Sequence, residues 1–168
     1  MSYNFSLITE RLLINPLSAS DNQFILELLN TDGWIKFIGN RHIHSLEDAT
    51  TYIKKVTSTE HLVYWTVKIK EGEKPIGIIT FIKRDYLDHH DIGFAFLPAF
   101  SKKGYAFEAT TAVLQKLNLE YNLSYILATT KPENIASITL LKKIGLVFQK
   151  ELEVGNEMLN VYEASLSK

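Results

Sequence analysis

A short loop between an extended run and a helix constrains the fold of this chain more than any other segment. Residues 90–97 are mostly apolar and end at Pro98, and an amphipathic helix is predicted from about Tyr105 to Tyr121. A further strand, 125–130, follows directly. A strand, a crossover helix and a second strand predict two parallel neighbours in one sheet. The chain is therefore predicted to be an α/β protein.

The loop itself, residues 101–106, reads Ser-Lys-Lys-Gly-Tyr-Ala and has the composition of an anion-binding site. A helix start offers backbone N–H groups without internal partners and the positive end of the helix dipole. Gly104 allows close approach of the backbone, and Lys102 and Lys103 add positive charge. The loop is predicted to hold a pyrophosphate, but an ordinary strand-to-helix turn would contain the same kinds of residue.

Hydrophobic periods and capping residues predict the remaining elements. Ser20 and Ser45 are predicted to begin helices, Ser20 with Gln23 as a capping box. Asn134 is predicted to cap a later helix, with Gly145 just past its end. Extended segments are predicted at 7–16, 62–70, 76–82, 146–151 and 158–166.

Composition narrows the classes of function. The net charge of −1 argues against a general nucleic-acid binder, and the absence of cysteine excludes thiolate nucleophiles. No apolar run reaches the roughly 20 residues that span a bilayer, and the amino terminus lacks a signal-peptide pattern. The spacing of the histidines matches no compact metal site. The prediction is one cytoplasmic domain over residues 1–168, without a nucleic-acid, membrane or metal partner.

Four segments, in order along the chain, resemble motifs of the GCN5-related N-acetyltransferase (GNAT) family. Residues 100–109, Phe-Ser-Lys-Lys-Gly-Tyr-Ala-Phe-Glu-Ala, resemble its motif A, and residues 134–146 resemble its motif B. Residues 9–17, Thr-Glu-Arg-Leu-Leu-Ile-Asn-Pro-Leu, are similar to the opening of the RimJ/RimL branch. Residues 91–96 match the Glu-Ile-Gly-Tyr strand of that branch. The resemblance touches both ends of the chain.

This resemblance implies a fold and a cosubstrate. The fold is a mixed, mostly antiparallel sheet of about seven strands with a splayed parallel pair, flanked by about four helices. The pantetheine arm of acetyl-CoA would lie between strands 91–97 and 125–130, with Gly93 in a bulge that bends the first strand away. The implied cofactor-binding residues are Phe94, Ala95, Phe96, Ser101, Lys102, Lys103, Gly104, Tyr105, Ala106, Thr130, Asn134, Ser137, Leu140, Leu141 and Lys143.

The implied reaction is direct acetyl transfer to a primary amine in a ternary complex. Many family members protonate the leaving thiolate with a tyrosine, and Leu141 occupies that position here. Ser137 matches a serine that fills the role in the RimJ/RimL branch, but it could equally be a small residue packed against the cofactor. The attacking amine needs a general base. Asp91, His90 and Glu10 are the candidates, although the first two could be surface groups beside a turn and Glu10 could be a structural partner of Arg11.

The acceptor is expected to be a protein α-amino group or a small-molecule amine. The resemblance places its site on the two amino-terminal helices and their link, with Trp34 and Arg41 as substrate-binding residues. A non-catalytic acyl-CoA-binding module with the same fold is the alternative, because the usual tyrosine is absent. A toxin-type enzyme acting on aminoacyl-tRNA is disfavoured by the near-neutral charge. A homodimer is expected on general grounds only.

Overall fold

The computed structural model describes residues 2–166, which contain one eight-stranded sheet. The strands are β1 (Leu7–Ile8), β2 (Leu12–Pro16), β3 (Leu62–Ile69), β4 (Pro75–Ile82), β5 (Asp91–Phe96), β6 (Tyr125–Thr130), β7 (Val147–Val154) and β8 (Glu157–Ser165). Their order in the sheet is β1-β2-β3-β4-β5-β6-β8-β7. Within this part of the chain, β5 and β6 form the parallel pair and all other neighbours are antiparallel.

Five α-helices occur in the same described residues, where the sequence predicts about four. They are α1 (Asn22–Leu29), α2 (Asp32–Phe37), α3 (Leu46–Ser58), α4 (Tyr105–Tyr121) and α5 (Ile135–Ile144). The additional helix is α2. It begins where the Thr31 hydroxyl, as N-cap, accepts a hydrogen bond from the Trp34 N–H at 3.3 Å.

Two predictions near the amino terminus are wrong in detail. Segment 7–16 is not one strand but a hairpin, because the Thr9 N–H bonds to the Leu12 carbonyl at 2.9 Å and β1 folds back on β2. The first helix does not begin at Ser20. A 3-10 turn precedes α1, and the Asp21 carboxylate, rather than Gln23, accepts the reciprocal bond, from the Ser18 N–H at 3.1 Å.

Each face of the sheet carries its own apolar core. Helices α4 and α5 cover one face, where Trp65 and Phe81 are fully buried against Val113. Helices α1 and α3 cover the other face, where Ile25 and Ile53 are buried. Burial of each such side chain stabilises the fold by about 1.5–3 kcal/mol. The central strands are therefore buried on both faces of the sheet.

The parallel pair separates almost as soon as it forms. Strands β5 and β6 pair at Asp91 and Leu127 alone, with the Leu127 N–H bonded to the His90 carbonyl at 2.9 Å. Beyond that point β5 stays paired with β4, and β6 stays paired with β8. Backbone groups of β5 that face away from β4 therefore have no partner strand along the splay. The predicted splayed pair is confirmed.

The predicted bulge at Gly93 is wrong. The register between β4 and β5 runs without a shift from Gly77 opposite Phe96 to Ile82 opposite Asp91. Gly93 lies opposite Thr80 instead, and an added Cβ would stand 2.5 Å from the Thr80 Oγ1. A side chain at this position would therefore force the Thr80 hydroxyl to move. The strands diverge because β6 leaves β5, with no kink in the β4–β5 ladder.

Candidate functional site

A cleft of about 1380 Å³ opens where β5 and β6 separate. Its walls come from the α2–α3 region on one side and from the starts of α4 and α5 on the other. Every predicted site residue except Lys103 lines it; the lining includes Trp34, Arg41, Asp91, Phe94, Ala95, Phe96, Ser101, Lys102, Gly104, Tyr105, Ala106, Thr130, Asn134, Ser137, Leu140, Leu141 and Lys143.

The loop before α4 turns sharply because two of its residues adopt positive φ. Lys102 has φ +59° and Gly104 has φ +81°. Gly104 is the N-cap of α4 and has no side chain to satisfy the first N–H groups of that helix. These N–H groups, together with the helix dipole, make the loop a suitable anion site at the rim of the cleft. Lys103 points elsewhere, with its ammonium 5.8 Å from the centre of the Phe100 ring.

The β1–β2 turn fixes this loop from outside the cleft. The Arg11 guanidinium donates to Glu108 Oε2 at 2.7 Å and to the Lys103 carbonyl at 2.9 Å, and it lies 4.4 Å from the Tyr105 ring centroid. The Thr9 hydroxyl donates to Glu108 Oε1 at 2.6 Å. Although partial burial acts to raise the pKa of Glu108, the bonds from Thr9 and Arg11 lower it below its ordinary value. Glu108 therefore stays ionised and paired.

The start of α5 forms the second half of this wall. The Asn134 side-chain oxygen accepts the Ser137 N–H at 3.2 Å, so Asn134 caps the helix as predicted. The Ser137 hydroxyl lines the cleft and has no hydrogen-bond partner among the described residues. Leu141 is fully buried and lines the cleft beside it. The first turns of α4 and α5 thus face the same cavity.

Of the three candidate bases, only Asp91 lines the cleft. It is buried, pairs with the Arg84 guanidinium and accepts the Thr129 hydroxyl at 3.3 Å. Burial raises the pKa of Asp91, and Arg84 and Thr129 oppose that rise by stabilising the carboxylate. His90 stacks on Phe81, with ring centroids 4.2 Å apart, and burial lowers its pKa.

Glu10, the third candidate, lies exposed in the β1–β2 turn and does not line the cleft. The sequence left open that it is a structural partner of Arg11. That interpretation is wrong, because the ion pair of Arg11 is with Glu108.

The wall opposite the loop carries aromatic and cationic side chains. Trp34 is 5% exposed, so packing accounts for most of its surface, and Arg41 follows it in the α2–α3 link. Tyr52 and Tyr64 line the same wall and were not recognised from the sequence. Burial and the neighbouring Tyr64 raise the pKa of Tyr52, and Arg41 opposes that rise. Tyr52 is therefore a neutral phenol beside a guanidinium.

Two other features are absent from the described residues. Across residues 2–166 there is no group of three or more histidine or acidic side chains that could hold a metal ion. No helix in that stretch combines the length and hydrophobicity needed to cross a membrane.

A mixed sheet with a splayed parallel pair, and helix starts facing the splay, is the architecture that the resemblance to the GNAT family implies. Comparison with known proteins agrees. Residues 11–147 match the family model described as an acetyltransferase (GNAT) domain. The chain is 34% identical, over 162 residues and 93% of each protein, to the uncharacterised N-acetyltransferase YnaD of Bacillus subtilis. The chain belongs to the GNAT acetyltransferases.

Solved structures show the same architecture. An acetyltransferase of the GNAT family from Bacillus anthracis superposes with a TM-score of 0.79 at 27% identity, over 97% of this chain and 98% of that one. RimL, a ribosomal L7/L12 α-N-protein acetyltransferase in complex with coenzyme A, superposes with a TM-score of 0.80 at 10% identity, over 95% and 96%. Membership of the GNAT family makes the protein an acetyltransferase with acetyl-CoA as its cosubstrate.

Proposed function

We propose that this protein transfers the acetyl group of acetyl-CoA directly to a primary amine, within a ternary complex and as a member of the RimJ/RimL-like branch. The observation that carries the proposal is the shared cleft. The anion-binding loop 101–106 and the start of α5 face it from one side, and Trp34 and Arg41 face it from the other. A donor and an acceptor bound on these two walls would meet at the splay of β5 and β6.

The donor side of the cleft fits acetyl-CoA. The N–H groups of residues 102–106 would bind the pyrophosphate. Ser101 occupies a position where the family usually has glutamine or arginine, and Lys102 would supply positive charge in its place. Unpaired backbone groups of Phe94–Phe96 would bind the pantetheine amides as an added strand does. Asn134 and the flank of α5 at Leu140, Leu141 and Lys143 would line the arm.

Proton transfer would fall to two residues of the cleft. Acetyl-CoA supplies an activated acyl group, and the acceptor ammonium must lose a proton before its nitrogen can attack. Asp91 is the proposed base, directly or through water, because it lines the cleft and its raised pKa suits proton acceptance. Backbone N–H groups of β5 would polarise the acyl oxygen.

Ser137 is proposed to donate the proton to the leaving sulfur. Ser137→Ala is expected to lower kcat about 10- to 100-fold with little change in the KM for acetyl-CoA, because water can partly replace a general acid. Steady-state kinetics with Ser124→Ala, an exposed serine outside the cleft, as control would measure this. An unchanged kcat with a raised KM would assign Ser137 to packing against the cosubstrate instead.

The overall proposal is tested with acetyl-CoA and a broad panel of amines, including peptides with free α-amino groups. The protein has no cysteine, so every thiol that appears in the assay comes from coenzyme A. We expect thiol release that depends on at least one amine, with the acetylated amine identified by mass spectrometry. Tight acetyl-CoA binding without turnover across the panel would instead support the non-catalytic module.

A further inference from the structure

Arg41 presents a guanidinium to the acceptor side of the cleft without a carboxylate partner. Five ion pairs form within residues 2–166, and none of them includes Arg41. The α2–α3 link folds to place the side chain: Gly39 has φ +126°, and an added Cβ there would stand 3.0 Å from Arg41 Nη1. An arginine keeps its charge under all physiological conditions. The cleft wall therefore holds a fixed positive charge.

Tyr52 orients this guanidinium without neutralising it. The Tyr52 side chain lies beside Arg41 and beside Tyr64 on the same wall. Since burial keeps the phenol protonated, it contributes a dipole and no negative charge. The positive charge of Arg41 thus remains available to a ligand.

The other charged groups lining this half of the cleft do not cancel it. Arg84 and Asp91 neutralise each other in their ion pair. The Asp48 carboxylate accepts the His44 N–H at 2.8 Å and lies in the first turn of α3, where the positive end of the helix dipole offsets its charge. Lys55 and Glu47 lie exposed on α3 and have opposite charges. Arg41 has no carboxylate partner among the described residues, so its positive charge remains available to a ligand.

We infer that the acceptor amine carries an anionic group, a carboxylate or a phosphate, which binds Arg41 while the amine points to the splay. This inference rests on the proposed function. Arg41 is exposed, so solvent screens this pair, and the expected contribution is about 1 kcal/mol, which corresponds to roughly 5-fold in kcat/KM. Polycationic acceptors such as polyamines are disfavoured by the positive charge of Arg41.

Matched pairs of amines test the inference. β-Alanine is compared with propylamine, alanyl-phenylalanine with its carboxamide, and phosphoethanolamine with ethanolamine. We expect kcat/KM to be about 5-fold higher for the anionic member of at least one pair. A preference within the first two pairs identifies a carboxylate as the anion, and one confined to the third identifies a phosphate. Arg41→Gln should abolish the preference, and Arg41→Lys should restore part of it.

The control variant is Lys36→Gln, which removes an exposed cation of α2 that lies outside the cleft and should leave the preference intact. Equal rates within every pair, or a preference that survives in Arg41→Gln, would overturn the inference while leaving the proposed function standing. If none of the amines supports turnover, the proposed function is overturned. In that case thermal shift decides the inference: the anionic members should raise Tm in the wild type but not in Arg41→Gln, and equal shifts would overturn it.

Discussion

Replacing Gly104 with valine is expected to weaken acetyl-CoA binding by at least about 100-fold. Gly104 has φ +81°, a conformation that a β-branched residue adopts only under strain. The added Cβ would also stand 3.2 Å from Arg11 Nη2, and that guanidinium is already bonded to Glu108 and to the Lys103 carbonyl. Either the loop or the arginine must move. In both cases the N–H groups of residues 102–106 lose their common direction.

The size of the effect follows from the number of bonds that depend on that direction. A hydrogen bond to a charged group contributes about 1.5–3 kcal/mol, so losing two to a pyrophosphate costs about 3–6 kcal/mol. Each 1.4 kcal/mol is a factor of about ten in Kd. The cause differs from the one that the sequence suggests. The sequence suggests that Gly104 leaves space for the phosphate. In the structure, a side chain at this position would instead point toward Arg11.

A matched control separates strain at a glycine from damage to the loop. Gly145 has φ +110° at the end of α5, no described atom lies within 4 Å of an added Cβ, and it does not line the cleft. Gly145→Val should therefore lower Tm but keep the wild-type Kd for acetyl-CoA, measured by calorimetry. Wild-type affinity in a folded Gly104→Val protein would show that the loop is not the pyrophosphate site.

The parts of the fold that the sequence predicts correctly are those defined by local signals. Helix α4 and strand β6 have the predicted bounds. Gly104 and Asn122 directly flank α4, and both adopt positive φ, so the helix does not extend past either of them. The residues predicted for the donor side also come from local signals. Most of them lie on one strand, one loop and two helix starts, and all but Lys103 line one cleft; their roles stay a prediction.

Residues that act through distant contacts could not be found in this way. Arg11 and Glu108 are 97 positions apart, and the sequence offers only the neighbouring Glu10 as a partner for Arg11. Alternation along strand β3 places Thr66 on its polar side. In the structure Thr66 is fully buried, because α1 and α3 cover that face, and its hydroxyl donates to the Asp21 carboxylate at 2.8 Å. Tyr64 shares this face and reaches the cleft. Alternation along one strand does not reveal which helices cover it.

Asp91→Val is expected to lower the free energy of unfolding by about 3 kcal/mol, because removing one partner of a buried ion pair leaves the other charge uncompensated. The carboxylate is buried, and Arg84 and Thr129 both donate to it. The loss falls at the lower end of the range for buried pairs, since the Arg84 side chain is 34% exposed and can reach water. Urea unfolding, with an unchanged dependence on denaturant, measures it.

Restoring stability in a second variant separates the structural role of Asp91 from its proposed role as base. Arg84→Met combined with Asp91→Val replaces the whole pair by apolar groups, which typically recovers most of the lost stability. If Asp91 accepts the proton from the acceptor amine, this double variant should bind acetyl-CoA like the wild type but turn over at least about 100-fold more slowly. If kcat returns together with stability, Asp91 only holds β5 and Arg84 in place, and water or another group of the cleft accepts the proton.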